Sequence, residues 1–228
     1  MKRVLVVLFV LLQAFLVFGL KHDTLDLDIG PNTRPTENIH QGNRVGQTFV
    51  AKADDIARID IAMGTHGRVN TGAVFFRLWE ETPERRLLRE TVFSAAAVKN
   101  NRFHPVRFKP VPGSAGRRYY FVLSSAESTD KDSVCAWMNT RDIYPDGRYH
   151  LRHEPQEGDL MFRVYSRRTL AAGLGRVVRK YDGALGSPVF LAAAMALFAA
   201  SAALVFARLL DLVWATLRAA RRQGPGET

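Results

Sequence analysis

The 228-residue chain has a single cysteine. No internal disulfide is possible, so any fold must rest on buried apolar surface. Between Val189 and Phe206 no residue is charged. A helix in a globular core keeps a polar face, and this run has none. G-x-S-x-G, P-loop and H-E-x-x-H patterns are also missing, and with them the signatures of serine hydrolases, phosphate-cradling nucleotidases and zinc proteases. Paired carboxylates fit for glycosidase work are not evident either. Glu80, Glu81 and Glu84 share one charged turn with Arg85, Arg86 and Arg89, which reads as a solvated hairpin tip rather than two groups facing across a cleft. The expectation is a protein that is not an enzyme and has no catalytic residues.

What the chain does have is apolar length at both ends. Ser187 suits a helix N-cap and Pro188 the first helical position. The uncharged run that follows would form roughly 27 Å of apolar helix, about the thickness of a bilayer core. A transmembrane helix with an interfacial extension is expected over 187–217, with Trp214 at headgroup level and a basic cytoplasmic tail over 218–228. At the other end, Lys2 and Arg3 precede a 17-residue apolar run interrupted by Gln13. Residues 1–20 read as an export signal, either a retained signal anchor or a cleaved peptide. In both cases the chain that follows is translocated.

The net charge of +10 has to be placed before it is interpreted. Between Lys21 and Arg168 there are 23 Lys and Arg against 19 Asp and Glu, so most of the excess sits in short flanks beside the apolar segments. Membrane topology and anionic headgroups account for that placement. No zinc spacing, recognition helix or aromatic RNA motif accompanies it, so nucleic acid is not an expected partner. In the linker 168–186, Leu170, Leu174, Val177, Val178 and Tyr181 fall on one helical stripe with Arg176, Arg179 and Lys180 off it. That pattern predicts an amphipathic helix on the membrane surface. Ala192, Ala196, Ala199, Ala200, Ala203 and Ala207 form a small-residue stripe on the span, a candidate face for packing against another membrane helix.

From 21 to 167 the period is two. Leu25, Leu27 and Ile29 alternate, and so do Ile59, Ile61 and Met63, then Val74, Phe76 and Leu78. Further runs at 86–93, 103–108, 118–124, 134–139, 148–152 and 160–165 are separated by turn clusters such as Pro112-Gly113-Ser114 and Pro145-Asp146-Gly147. Nine or ten short strands without a helical period predict an antiparallel β-sandwich.

The landmarks in this segment are Gln47-Thr48-Phe49, Ala57-Arg58-Ile59-Asp60-Ile61, Gly72 to Leu78, Phe108 leading through Pro112-Gly113-Ser114 into Arg118 to Leu123, Trp137, Tyr144 to Gly147, and Gly158 to Tyr165. Their order resembles the non-catalytic jelly-roll domains, similar to carbohydrate-binding modules, carried by bacterial envelope proteins. The resemblance spans about half the chain. It implies a jelly-roll sandwich whose work is binding or display, and it supplies no catalytic residues.

Sugar recognition needs an aromatic face and a few planar polar groups. The stretch with both is 134–148, where Trp137, Asn139, Arg141, Tyr144 and Arg148 are the candidate ligand-binding residues. Trp137 could equally fill the space between sheets, and Tyr120 could lie on either face of its strand. His150 and His153, three apart on a strand, would point to opposite faces, which does not favour a shared metal. Asp159 could contribute to a structural calcium, although no run of Asp and Asn supplies the other oxygens. No other cofactor is implied. The sequence thus predicts a module anchored in the cytoplasmic membrane, with its β-domain outside, binding glycan in surface-polysaccharide assembly or export. The alternative is a structural subunit of an inner-membrane complex that contacts protein and never sugar.

Overall fold

A computed structural model describes residues 2–178 and 187–222. The chain divides into two units, 1–22 with 168–228, and 23–167.

In the first unit, α1 (Lys2–Ala14) runs into a π-turn at Phe15–Gly19. Helix α2 covers Leu170–Val178, and α3 covers Pro188–Arg222. The start of α3 follows from its sequence: the Ser187 Oγ accepts the Val189 N–H at 3.2 Å, and Pro188 occupies the first helical position. Within Pro188–Arg218 an 18-residue stretch reaches a mean hydropathy of 2.4, so this helix is long and apolar enough to cross a membrane. Its large side chains lie open, with Val189 74% and Phe198 73% exposed. The 35-residue helix is about 52 Å long, longer than a hydrocarbon core of about 30 Å is thick. Phe9 of α1 stacks on Phe206 of α3 with ring centroids 4.2 Å apart. Arg179, Lys180 and Tyr181, which belong to the expected amphipathic stripe, lie outside the described residues.

The second unit is a β-sandwich. Among the described residues its strands are β1 (Lys21–Ile29), β2 (Arg34–Pro35), β3 (Arg44–Val50), β4 (Ile56–Gly64), β5 (Ala73–Glu80), β6 (Arg86–Ser94), β7 (Arg102–Val111), β8 (Arg118–Ser124), β9 (Cys135–Asn139), β10 (Arg148–Leu151), β11 (Glu154–Pro155), β12 (Asp159–Leu160) and β13 (Phe162–Thr169). The first sheet has the order β1-β13-β4-β9-β12, with β7 also on β4 and β2 on β9. The second has the order β11-β10-β3-β8-β5-β6. The pairings among β2 to β13 are antiparallel.

Alternation decides which side chains enter the sandwich. Ile59, Ile61 and Met63 of β4 meet Phe49 of β3, Phe76 of β5 and Tyr119, Phe121 and Leu123 of β8 in one core, joined by Phe162 and Val164 of β13. Its centre is aromatic: Phe121 and Phe162 are 5.3 Å apart edge to face, and Phe49 lies 5.7 to 6.2 Å from Tyr119, Phe162 and Phe121. Cys135 is buried and free. A buried polar bridge crosses between the sheets. Gln47 of β3 donates to Asp159 Oδ1 of β12 at 2.9 Å, and its Oε1 accepts the Leu160 N–H at 2.8 Å.

Candidate functional site

The segment that follows β9 is organised by Asp159. Its Oδ2 accepts the backbone N–H groups of Ile143 and Tyr144 at 2.8 and 2.9 Å, while Oδ1 holds Gln47. Burial pushes this carboxyl above the ordinary aspartate value even though three donors pull it back. Tyr144 then turns inward, within 6.4 Å of Phe162, and its hydroxyl accepts the Val50 N–H at 3.1 Å. Gly147 lets the loop close: a Cβ there would lie 2.1 Å from the Thr48 carbonyl oxygen and 2.7 Å from the Tyr144 ring. Asn139 is buried as well, donating to the Pro31 carbonyl at 2.8 Å and accepting the Arg141 N–H at 2.9 Å.

Of the sequence-predicted site residues, the structure brings Arg141 and Arg148 together. They line an open pocket of about 630 Å³ with Thr140, Asp142, Gln156 and Glu157, at the edge of the second sheet where β10 and β11 end. Neither guanidinium has an ion pair or side-chain hydrogen bond among the described residues. Tyr144 and Asn139 lie beneath this region as framework, with side chains turned away from solvent. Trp137 is elsewhere. It is half-buried on the outward side of β9, and its Nε1–H donates to Asn101 Oδ1 at 3.1 Å.

From the pocket a row of side chains runs across the outward face of the second sheet. Arg148 is opposite Thr48, Thr48 opposite Tyr120, and Tyr120 opposite Trp79. Directly opposite residues share a face, and four strands at about 4.8 Å spacing make the row about 14 Å long. Gly46, beside Thr48, allows Tyr120 to lie flat: a Cβ there would be 2.7 Å from the Tyr120 hydroxyl. Trp79 and Phe75 are half-buried on the same face.

Over Tyr120 the face gathers cations. His153 Nδ1 is 3.1 Å from the Tyr120 hydroxyl, and Arg44 Nη1 is 3.0 Å from His153 Nε2. Arg85 lies 5.7 Å above the Tyr120 ring. The His150 ring is 5.0 Å from Tyr120, with its Nδ1 3.2 Å from the His153 carbonyl oxygen. Alternation put the two histidines on opposite sides of a strand. The strand instead ends at Leu151, and Arg152 and His153 both take positive φ, at 54° and 74°, which swings His153 back over the sheet. A guanidinium only donates, so His153 Nε2 must be the acceptor, and the ring proton sits on Nδ1 facing the Tyr120 oxygen. Burial first, then Arg44 and Arg85, hold His153 below the ordinary histidine value, and burial does the same for His150. Burial raises the Tyr120 phenol to about 12, so it stays neutral.

The expected solvated hairpin tip is only partly so. Glu80 is buried, with Arg86 Nη2 at 2.6 Å and Arg117 Nη1 at 3.0 Å, and those hydrogen bonds lower its carboxyl. Glu84 remains exposed at the turn. No group of three or more His, Cys, Asp and Glu side chains among the described residues is placed to hold a metal. No protein-family model matches the chain, and no curated protein matches it in sequence.

Proposed function

We propose that the chain is a membrane-anchored binding module that takes up glycan along the second sheet, from the Arg141–Arg148 pocket toward Trp79. On this reading the sandwich is a jelly roll displayed outside the cytoplasmic membrane, α1 is the signal anchor, α3 is the span, and the module serves surface-polysaccharide assembly or export. The passage of the chain between sheets, with β3 in the second, β4 in the first, β5 and β6 in the second and β7 in the first, supports the jelly-roll reading. The uncharged stretch of α3 supports the anchor.

The observation that carries the ligand class is the pocket. It is open, large enough for a sugar ring, and lined by the Arg141 and Arg148 guanidiniums, the Gln156 amide and the Asp142 and Glu157 carboxylates, whose side chains have no hydrogen bond or ion pair among the described residues, beside the Thr140 hydroxyl, which Thr33 Oγ1 meets at 3.4 Å. Planar polar groups of this kind suit hydroxyl-rich ligands, and the half-buried Trp79 and Phe75 supply apolar faces further along the row. Exposed Leu87 and Val92 on the edge strand β6 favour the competing reading, a subunit that contacts protein. The test is direct binding of the full chain, in detergent micelles, to a panel of bacterial envelope polysaccharides. Binding that falls at least about tenfold when Arg141 and Arg148 are both changed to alanine supports the glycan reading. No binding to any polysaccharide, together with capture of a membrane-protein partner lost in Leu87→Glu, replaces it.

A further inference from the structure

We infer that the ligand of this face is an acidic glycan, and that a sugar carboxylate seats between Arg44 and Arg85 above Tyr120. The inference rests on the glycan reading for the kind of polymer, and on the side chains around Tyr120 for its charge.

Arg44 and Arg85 reach the same small area from different elements, β3 and the β5–β6 turn, and neither has a carboxylate partner among the described residues. Glu81 acts electrostatically on Tyr120 and His150, and Glu154 on His153, but neither pairs with Arg44 or Arg85 among the described residues. Glu90 is paired with Arg77, Glu80 with Arg86 and Arg117, and Glu81 lies 3.9 Å from Arg118 Nε. Arg44 uses one of its five N–H donors on His153 and has the others to offer. Among the described residues Arg85 makes no hydrogen bond through its side chain, and it is exposed, held at positive φ (41°) in the turn. Tyr120 is 2% exposed, and its oxygen already accepts from His153, which leaves its O–H proton without an acceptor among the described residues. A buried donor without an acceptor is costly. An arriving carboxylate answers all three needs: it accepts from Arg44, from Arg85 and from the phenol, and it neutralises a site where two cations crowd two neutral imidazoles. Arginine forks match carboxylate geometry, which a neutral hydroxyl cannot exploit to the same degree. Arg148 stands two strands from Tyr120 along the row, so a polymer with repeating carboxylates can meet a second guanidinium.

The test compares polygalacturonate with neutral dextran on the full chain in micelles, at low and raised salt. The acidic polymer is expected to bind at least about tenfold tighter than dextran and to weaken as salt rises. Arg44→Ala and Arg85→Ala should each cost about tenfold for polygalacturonate, with dextran binding unchanged. Lys131→Ala, an exposed cation in the turn before β9, should change neither, and thermal melts of all variants confirm that the fold is kept. Equal binding of the two polymers, insensitive to Arg44 and Arg85, overturns the acidic-ligand inference and leaves the glycan reading standing. Binding of neither polymer overturns both. If glycerol phosphate, a lipid-headgroup analogue, binds more tightly than galacturonate oligomers and depends on the same two arginines, the occupant is lipid and the inference fails.

Discussion

The two outward faces of the sandwich carry arginines in similar settings and treat them differently. On the first sheet, Arg58 is bidentate to Asp60 at 2.5 Å, 3.5 Å from Asp23, and lies over the Tyr165 ring at 4.4 Å. Arg107 also pairs with Asp23, and Arg163 pairs with Asp28 at 3.0 Å while covering the Phe103 ring at 4.0 Å. Each of these guanidiniums is met by a carboxylate. On the second sheet Arg77, Arg86 and Arg117 are met by carboxylates as well, but Arg44 meets a histidine, Arg85 an aromatic ring, and Arg148 no side-chain partner among the described residues. A network closed on itself has little left to offer a ligand. The open face leaves charge and donors that the protein does not satisfy, and there the fold gives up local stability for recognition.

That contrast can be tested from the joint outward. Asp159→Ala should have the largest effect, because it strips acceptors from Gln47, Ile143 and Tyr144 at the buried junction of the sheets. A loss of about 3–5 kcal/mol is expected in denaturant unfolding, with the pocket lost in the same variant. On the closed face, Asp60→Ala leaves Arg58 without its bidentate partner and should cost about 2–3 kcal/mol. Arg85→Ala, on the open face, should stay within about 0.5 kcal/mol of the parent. If Arg85→Ala destabilises as much as Asp60→Ala, the two faces are not different in kind.

Acid should separate the faces next. His150 and His153 have folded values below the ordinary 6.5, and His104, which packs on Phe93, is lowered too, mainly by burial. The unfolded chain therefore takes up these protons first. Stability is full above about pH 6.5 and is lost as pH falls through the lower folded values. Asp23 on the closed face is held below the ordinary aspartate value by Arg107 and Arg58, against the opposing pull of burial. Its contribution is present above about pH 4 and disappears only at lower pH. Unfolding measured at pH 7.5, 5.5 and 3 should show the histidine loss first, reduced in His153→Gln. Stability that rises between pH 7.5 and 5.5 would contradict this account. The smallest effect on binding is expected from Trp137→Ala. The ring is half-buried and hydrogen-bonded to Asn101, away from the pocket, so polysaccharide affinity should stay within about twofold, less than the loss of one good hydrogen bond, while the melt falls modestly.

The strands were legible because one face of each is buried. Alternation at Ile59, Ile61 and Met63 and at Val74, Phe76 and Leu78 marks β4 and β5 directly, and Ser187-Pro188 marks the start of α3. The two-residue strands β2, β11 and β12 carry no period of their own and exist through their partners: β2 through β9, about 100 residues further along the chain, β11 through β10, and β12 through β9. The candidate site was legible only in part, for similar reasons. Arg141 and Arg148 are close in sequence and in space. Tyr144 sits in a polar loop, yet the Val50 backbone satisfies its hydroxyl and lets the ring enter the core. The gathering over Tyr120 depends on strand register and on a positive-φ turn at Arg152 and His153, and neither leaves a trace in hydrophobic periodicity.

The most direct measurement of the central claim is amide hydrogen exchange of the full chain with and without saturating polygalacturonate. Protection is expected to increase in 44–48, 82–86, 118–124 and 148–156, on the second sheet and its pocket, with 56–64, 102–108 and 162–166 unchanged. Protection confined to the first sheet, or unchanged throughout despite measurable binding, would contradict the assignment of the open face as the ligand face.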